Sequence, residues 1–362
     1  MTRPCALQVC PNDHPPFLDI CRNHAAALGQ AGCDVDTVFL GAPRGTRWEA
    51  ATYLGVERGT RRMIDALRSH CAGRADRLVV MHRYRAYQVA TRALEGAATM
   101  VAVAHEFGMF ARRRRRLRQW WFARDVVFAG VSQAVVDEMR RHHPSLRHTS
   151  VLPNPVDVDA LDRARLSRTD ARTALGIGGD GYVVGMVGRL HPEKRPLLAL
   201  EAFAGAALPS GARFVFVGDG AMRASLESRA REIGCAERVH FTGYVPDAAR
   251  HLEAFDALLF TSGPTEAFGM ALLEAMVAGV PIVCADQAGP RSVLGPGGRY
   301  FTGGAAELTS ELGRVAALSA AEREALCRLQ RARAECEFSL PAVADAYRRL
   351  LSTAGVRPAG AS

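Results

Sequence analysis

The second half of the chain alternates short apolar segments with helical segments, and this alternation constrains the fold more than any other feature. The segments YVVGMVGR (182–189), RFVFVGDG (213–220) and DALLFTS (256–262) are almost continuously apolar. Helical segments separate them, such as PLLALEAFAGAAL (196–208), whose first proline suits the first turn of a helix. Apolar strands that alternate with helices are typical of a parallel sheet covered by helices on both faces.

The first half follows the same pattern less clearly. CALQVC (5–10) predicts a first strand, and a chain of 362 residues is long enough for two domains. We therefore predict an α/β protein of two Rossmann-like domains whose parallel sheets face each other across a cleft, with a linker near 153–181. The predicted domains are residues 1–155, residues 156–339 and a C-terminal helix in 340–362 that returns to the first domain.

Basic residues are unevenly distributed along the chain. The net charge is +9, and residues 1–155 hold 23 arginines against 13 acidic residues, whereas the remainder is close to neutral. Such asymmetry indicates that the first half meets an anionic surface or substrate. Lys194 is the only lysine in the sequence. Its position reflects either a coding bias towards arginine or chemistry that arginine cannot do.

Much of the positive charge lies in FARRRRRLRQWWFAR (110–124), which combines seven arginines with aromatic residues. Arginine with tryptophan is typical of segments that lie on an anionic bilayer. The alternatives are a solvated charge run and a nucleic-acid contact, and no nucleic-acid fold motif accompanies the run. We predict a membrane- or acceptor-facing surface and no nucleic-acid partner. The residues of this predicted surface are Arg112, Arg113, Arg114, Arg115, Arg116, Trp120 and Trp121.

Cysteine usage and hydropathy argue against several classes of protein. The nine cysteines are scattered and contain no Cys-x-x-Cys pair, which argues against a disulfide framework and a structural zinc site. The sequence has no apolar run of the roughly 18 residues that a membrane span needs, and its N-terminus lacks the pattern of a secretory signal. We expect a reduced, cytoplasmic protein that is peripheral on the inner face of the cytoplasmic membrane.

The segment SGPTEAFGMALLEAMVAGVP (262–281) places two glutamates around a glycine that opens a helix. Gly269 begins that helix, whose first N–H groups and positive dipole end can bind a phosphate. Glu266 can accept hydrogen bonds from sugar hydroxyls, and Glu274 can accept both hydroxyls of a ribose. The pattern predicts a nucleotide-sugar site; the alternative is an ordinary helix with acidic residues near its start.

The segment GRLHPEKRP (188–196) follows the strand at 182–189. Arg189 and Lys194 therefore lie at the carboxyl edge of the predicted sheet, where ligands of such sheets bind. Arginine can hold phosphate oxygens bidentately, and lysine supplies a compact charge. We predict that the two residues bind a diphosphate; the alternative is two unrelated surface charges.

The motifs GRLHPEK, FVGDG, VHFTGYV and EAFGMALLEAMVAGVP, in this order and spacing, resemble family 4 of the retaining glycosyltransferases, which have the GT-B fold. The resemblance covers 182–300 closely and the first half more weakly, through VAHEFG (103–108) and VLPNPVD (151–157). It implies transfer of a sugar from a nucleotide-diphosphate donor, with retention and without a metal or other cofactor. It also implies that the first domain holds the acceptor and the second the nucleotide-sugar.

The resemblance assigns roles to individual residues. His105 would contact the sugar near the reacting carbon, Glu266 the donor sugar and Glu274 the ribose. Arg189 and Lys194 would bind the diphosphate. The predicted catalytic residues are His105, Glu266, Arg189 and Lys194. The predicted donor-binding residues are Arg189, Lys194, Tyr244, Val245, Glu266, Phe268, Gly269, Met270 and Glu274, with the backbone at Tyr244–Val245 holding the base.

The chain departs from the family in the loop PNDHPPF (11–17), where many members carry a glycine pair that approaches the phosphate. We therefore expect this loop to shape an acceptor pocket instead. The two DVD segments, 34–36 and 157–159, lie far from the donor motifs, and we predict no metal site there. Ser132 and Asn154 are predicted to cap or satisfy local backbone.

These observations lead to an expectation of a metal-independent retaining glycosyltransferase of the hexosyltransferase type. Its acceptor is expected to be a glycan or lipid-linked glycan of cell-surface polysaccharide or lipopolysaccharide biosynthesis. The acceptor class rests on the basic first half and on the resemblance of NDHPPFLDIC (12–21) to bacterial cell-surface polysaccharide transferases. The alternatives are a nucleotide-sugar epimerase of the same fold and a non-catalytic, basic membrane-binding protein.

Overall fold

The computed structural model of the chain describes residues 3–45, 47–74, 78–94, 99–113, 115 and 126–353. The chain forms two compact units, one made of Met1–Val156 with Glu337–Ser362 and the other of Asp157–Cys336. The sequence predicts boundaries after residues 155 and 339, and in the structure the chain passes between the units after Val156 and after Cys336.

Within the described residues, the first unit contains one parallel sheet of seven strands. Its strands are β1 (Cys5–Cys10), β2 (Asp34–Phe39), β3 (Ala51–Tyr53), β4 (Leu78–His82), β5 (Thr99–Ala104), β6 (Val126–Gly130) and β7 (Thr149–Val151). Their order across the sheet is β3-β2-β1-β4-β5-β6-β7. The described helices that follow these strands are α1 (Phe17–Gln30), α2 (Thr60–His70), α3 (Arg83–Ala93) and α4 (Gln133–His142).

The second unit contains a parallel sheet of six strands. They are β8 (Val183–Val187), β9 (Arg213–Val217), β10 (Val239–Gly243), β11 (Ala257–Phe260), β12 (Ile282–Ala285) and β13 (Arg299–Phe301), in the order β10-β9-β8-β11-β12-β13. The helices are α5 (Val158–Ala164), α6 (Arg168–Ala174), α7 (Pro196–Gly205), α8 (Arg223–Glu232), α9 (Met270–Ala278), α10 (Ala288–Leu294), α11 (Ala305–Ala316) and α12 (Ala320–Phe338). The prediction of two α/β units with parallel sheets is confirmed.

The last described helix, α13 (Leu340–Thr353), belongs to the first unit. It packs on α1, and the Tyr347 hydroxyl lies 2.8 Å from Nδ1 of His24. Tyr347 is fully buried, so this contact is part of the interior of the first unit. None of the helices among the described residues is long and apolar enough to span a membrane.

Both sheets have a point at which the chain reverses the direction in which it adds strands. In the first sheet this point lies between β1 and β4, and in the second it lies between β8 and β11. Loops at the carboxyl ends of two such strands diverge and leave a crevice, which is where α/β sheets bind ligands. Each unit therefore offers one such position.

The predicted linker at 153–181 is wrong in its central part, because α5 and α6 lie there. Asp157 caps α5 by accepting a hydrogen bond from the Ala160 N–H at 2.8 Å. Arg172 on α6 is only 4% exposed, and it donates to the Ala254 carbonyl at 3.1 Å. Each helix is too short and too polar to show a periodic apolar face in the sequence. The residues that α6 contacts in the second unit are distant in the sequence, so the sequence alone does not indicate this packing.

Asp256, immediately before β11, joins α6 to the second sheet. It is 9% exposed and accepts hydrogen bonds from Nη2 of Arg168 at 2.8 and 2.9 Å and from Nη2 of Arg172 at 3.0 Å. It also accepts from the Val183 N–H at the start of β8, at 2.8 Å. A buried carboxylate with several charged and backbone donors is satisfied only while these partners remain in place.

Candidate functional site

The loops that follow β8 and β11 flank the switch point of the second sheet. Lys194, in the first loop, forms an ion pair with Glu266, in the second loop. The side chains of Lys194 and Glu266 are 26% and 17% exposed to solvent, so a ligand can reach both. The structure therefore brings together two of the predicted catalytic residues.

Arg195 and the backbone hold these two loops against each other. Arg195 has a left-handed backbone conformation, with φ of 49°, and its Nε donates to the Thr261 carbonyl at 2.6 Å. The Thr261 hydroxyl donates in turn to the Lys194 carbonyl at 2.7 Å. A further hydrogen bond runs from the Gly263 N–H to the Glu193 carbonyl at 2.7 Å. Lys194 is thus positioned by both loops, and the sequence did not indicate this role of Arg195.

Arg189 lies at the start of the loop after β8, and its side chain is exposed. In the part of the chain that the structure describes, no hydrogen bond or ion pair holds its guanidinium. Beside it, Gly218 after β9 has φ of 138°, and a Cβ at this position would overlap the Gly188 carbonyl. Glycine is therefore required where the two loops pass each other, and Arg189 remains available to an anionic ligand.

The helix α9 begins at the same edge of the sheet without a side-chain cap. Gly269, the residue before it, has φ of 104°, and a Cβ there would lie 2.7 Å from Cζ of Phe260. The neighbouring Phe268 is buried, whereas Met270 and Glu274 are half-buried on the helix. An uncapped N-terminus presents N–H groups and the positive end of the helix dipole to a phosphate.

Tyr244 and Val245 follow β10, the edge strand of the second sheet. They lie at the same carboxyl edge as Lys194, two strands away from β8. Tyr244 is 71% exposed, which is unusual for a large aromatic side chain. The structure records no contact between Tyr244 and the Lys194–Glu266 pair.

His105 lies in the first unit, just after β5, within a cluster of three histidines. His82 ends β4 and its Nδ1 lies 2.8 Å from Nε2 of His105. Nδ1 of His105 lies 2.9 Å from Oδ1 of Asn154. His24 on α1 completes the cluster, with its ring centroid 4.9 Å from that of His82. The prediction that Asn154 serves only local backbone is wrong, because its side chain orients His105.

These hydrogen bonds determine which ring nitrogens carry protons. Since Asn154 Oδ1 can only accept, His105 Nδ1 carries a proton, and its Nε2 accepts one from His82. Burial lowers the pKa of His24 to about 3, and burial with neighbouring positive groups lowers the pKa of His82 and of His105 well below the usual value. The three rings are therefore neutral, and both nitrogens of His105 are engaged within the first unit.

The three histidines are also the group, among the described residues, that could hold a metal ion. One ring nitrogen from each of His24, His82 and His105 lies within 4.8 Å of the others. Neutral imidazoles are good metal ligands, but two nitrogens on one zinc lie about 3.3 Å apart. The present geometry of the cluster suits a hydrogen-bonded chain, since Nδ1 of His82 and Nε2 of His105 lie only 2.8 Å apart.

Sequence reasoning selected His105 and missed His24 and His82. A signal existed for His82, because it ends a strand just as His105 follows one, and β4 and β5 are neighbours in the sheet. His24 lies in the middle of a helix, and only its burial shows that it belongs to the cluster. Ser132 caps α4 as predicted, accepting from the Val135 N–H at 3.4 Å.

The predicted membrane-facing segment lies only partly within the described residues. Arg112 and Arg113 are exposed, and Arg115 is half-buried with its guanidinium 4.2 Å from the Tyr84 ring centroid. Arg114, Arg116, Trp120 and Trp121 lie outside the described residues. Phe110, the first residue of this segment, is fully buried against Phe128. It therefore belongs to the core of the first unit.

The chain is similar to known glycosyltransferases in sequence. Residues 167–310 match the family model of glycosyl transferases group 1. The 2-deoxystreptamine glucosyltransferase of Streptomyces kanamyceticus is 34% identical over 177 residues, 47% of this chain and 45% of that protein. The lipopolysaccharide core biosynthesis mannosyltransferase LpsB of Rhizobium meliloti is 32% identical over 166 residues, 42% of this chain and 46% of that protein. The chain spans less than half the length of these curated relatives.

The fold is also similar to that of solved structures. The crystal structure of HepE from Anabaena, in complex with UDP, has a TM-score of 0.80 and covers 96% of this chain and 100% of that chain. At 20% sequence identity, this similarity shows the fold. The GT-B fold predicted from the motifs is confirmed, as is the resemblance to glycosyltransferases of this fold.

Proposed function

We propose that this chain, whose second unit matches group 1 glycosyltransferases, transfers a sugar from a nucleotide-diphosphate-sugar to an acceptor hydroxyl. The observation that carries the proposal is the pairing of Lys194 with Glu266 at the switch point of the second sheet. Beside this pair lie the uncapped start of α9 and the exposed Arg189. Cationic groups, N–H donors and a carboxylate at one edge of a sheet are what a sugar nucleotide needs.

The proposed mechanism stabilises the departing nucleoside diphosphate. Lys194 and Arg189 neutralise its oxygens, and the N-terminus of α9 adds hydrogen-bond donors, which is an electrostatic contribution to the transition state. Glu266 binds hydroxyls of the donor sugar and, through the ion pair, orients Lys194. The acceptor hydroxyl attacks from the face that the diphosphate leaves, which gives retention, and a phosphate oxygen of the donor takes its proton. No metal ion takes part in the proposed reaction.

The names of similar proteins support a proposal for the donor nucleotide more than a proposal for the acceptor. HepE is described in complex with UDP, and we propose a uridine nucleotide as the first donor to test. The relatives are named for unlike acceptors, 2-deoxystreptamine in one and the lipopolysaccharide core in the other. We propose a glycan or lipid-linked glycan of the cell surface, since the basic first half suits an acceptor at a membrane.

Binding of the donor is the experiment that tests this function. UDP and a cognate UDP-sugar are expected to raise the melting temperature, because a ligand at 100 times its Kd adds about 2.7 kcal/mol of apparent stability. The shift should be the same in excess EDTA, since the charges that bind the diphosphate are Lys194 and Arg189. Differential scanning fluorimetry over a panel of nucleotide-sugars measures it. A panel without any shift contradicts the proposal, and a shift that EDTA abolishes contradicts metal independence.

We also propose that the protein docks peripherally on an anionic membrane through residues 112–124. Each basic residue near such a surface contributes about 1 kcal/mol, and the contribution falls off beyond a Debye length. Wild type is expected to co-sediment with anionic vesicles at low salt, and a variant with residues 112–116 changed to serine is expected to lose most of this binding. A matched control changes Arg61 and Arg62, exposed on α2, to serine. Equal binding of the two variants would show that the segment does not dock.

A further inference from the structure

A cavity of about 850 Å³ opens at the switch point of the first sheet. The loop after β1 contributes Asn12 and His14, and the start of α3, directly after β4, contributes Arg83, Tyr84 and Arg85. This volume lies within the range of small-molecule sites, and the position is where α/β sheets bind ligands. All the residues that line the cavity belong to the first unit, and none of the predicted donor-binding residues is among them.

Positive charge dominates the wall of this cavity. Five arginines line it against two glutamates. Arg44 forms an ion pair with Glu57, so this pair is internally neutral. Within the described residues, no carboxylate lies within ion-pair distance of the other four arginines. These are Arg83, Arg85, Arg112 and Arg115. Glu106 is the remaining carboxylate of the wall, and one negative charge against these four arginines leaves a clear excess of positive charge.

Two of these arginines are held in place by contacts other than ion pairs. Arg83 has a left-handed backbone, with φ of 66°, and its guanidinium lies 3.9 Å from the centroid of the Phe17 ring. Its Nε is buried, and no hydrogen-bond acceptor among the described residues reaches it. Arg115 stacks on Tyr84 and donates to the Gly108 carbonyl at 3.2 Å. Strained backbone and an unsatisfied buried donor tend to occur where a ligand binds.

We propose that this cavity binds the acceptor and that the acceptor carries a phosphate group. The inference rests on the proposed transferase function and names the substrate class of its acceptor site. Arginine binds phosphate oxygens in bidentate fashion. Four arginines without an ion pair supply more positive charge than a ligand with a single carboxylate would need. Asn12, Gln88 and Glu106 remain to bind hydroxyls. An acceptor that carries an amine instead would meet repulsion from the arginines.

The test compares three hexoses that differ in charge, namely glucose, glucose 6-phosphate and glucosamine. Calorimetric titrations are made with UDP saturating, so that the phosphate cannot occupy the donor site. Glucose 6-phosphate is expected to bind at least tenfold more tightly than glucose, since the arginines form charge-assisted hydrogen bonds with a phosphate that they cannot form with a hydroxyl. Glucosamine is expected to bind more weakly than glucose. Equal affinity for glucose and its phosphate would overturn the inference, unless the vesicle measurement below shows a lipid-borne phosphate.

The variants are Arg85→Gln alone and together with Arg83→Gln. Both should lose the preference for glucose 6-phosphate, while Arg61→Gln with Arg62→Gln, at exposed positions on α2, should keep it. Arg85 is exposed, so its single replacement preserves the fold if Arg83→Gln does not. UDP binding, measured first for every variant, reports on the donor site separately. A chain that does not bind UDP would contradict the transferase proposal, and a preference that survives both variants would overturn the phosphate inference.

A lipid-borne phosphate is distinguished from a soluble one by vesicles. Vesicles with phosphatidic acid present a phosphate monoester, and vesicles with phosphatidylglycerol present a comparable surface charge as a diester. If the acceptor is lipid-borne, wild type should bind the phosphatidic acid vesicles more tightly, and Arg83→Gln with Arg85→Gln should remove the difference. If neither glucose 6-phosphate nor phosphatidic acid shows dependence on these two arginines, the inference is wrong.

Discussion

Replacement of Lys194 by alanine is expected to lower kcat by about 100-fold or more, with a much smaller change in KM for the donor. The loss of one preorganised charge contact to a developing anion has this magnitude. Lys194 is accessible and paired with Glu266, and hydrogen bonds from Thr261 and Gly263 hold its loop against the loop after β11. Its ammonium therefore lies where the charge of a departing diphosphate would develop. Steady-state kinetics with the donor that gives the largest melting-temperature shift measures the effect.

Two further variants make this result specific. Glu193→Gln changes an exposed side chain of the same loop and leaves the Glu193 carbonyl to accept from Gly263, so it is expected to keep near wild-type kcat. Glu266→Gln is expected to reduce kcat as well, and the double variant with Lys194→Ala should lose less than the product of both losses, since paired residues act as a unit. A Lys194→Ala protein that is folded and fully active would refute the proposed role.

The sheets of both units could be predicted because most of their central strands are almost continuously apolar. The segments at 5–10, 213–220 and 281–286 are each bounded by turn residues, so their positions could be predicted without knowledge of packing. The short edge strands β3 and β13 were missed, because three residues at a sheet edge show no period. The segment DAARHLEAF (247–255) predicts a short helix, and the structure has a stretch of 3-10 helix there, Ala248–Ala254.

The donor residues could be predicted more fully than the residues of the first unit. Lys194 and Glu266 belong to local motifs that follow strands, and only the order of β8 and β11 was needed to bring them together. His82 and Arg83 belong to no recognisable motif. Their importance is evident only because β4 lies between β1 and β5, which brings them close to residues that follow those strands. The cavity in the first unit likewise depends on four separate loops. Sites that are assembled from many loops are visible only once the strand order is known.

The largest effect on stability is expected from Asp256→Ala, which should lower the free energy of unfolding of the second unit by about 3–5 kcal/mol. Removing one partner of a buried ion pair leaves the other charge uncompensated. Here the stranded group is Arg172, which is 4% exposed, and the Val183 N–H loses its acceptor as well. Glu237→Ala makes the same change of charge at an exposed position of the second unit and is expected to change stability by no more than about 0.5 kcal/mol.

The location of the loss distinguishes this explanation from a general destabilisation. All three tryptophans precede residue 157, so their fluorescence reports on the first unit, whereas hydrogen exchange of β8 and β11 reports on the second. Asp256→Ala should increase exchange in these strands and leave the tryptophan transition in urea nearly unchanged. Adding Arg172→Leu should restore part of the stability, because the unpaired buried charge is then removed. A double variant that loses the full sum of the two single losses would show that the cost does not arise from the stranded guanidinium.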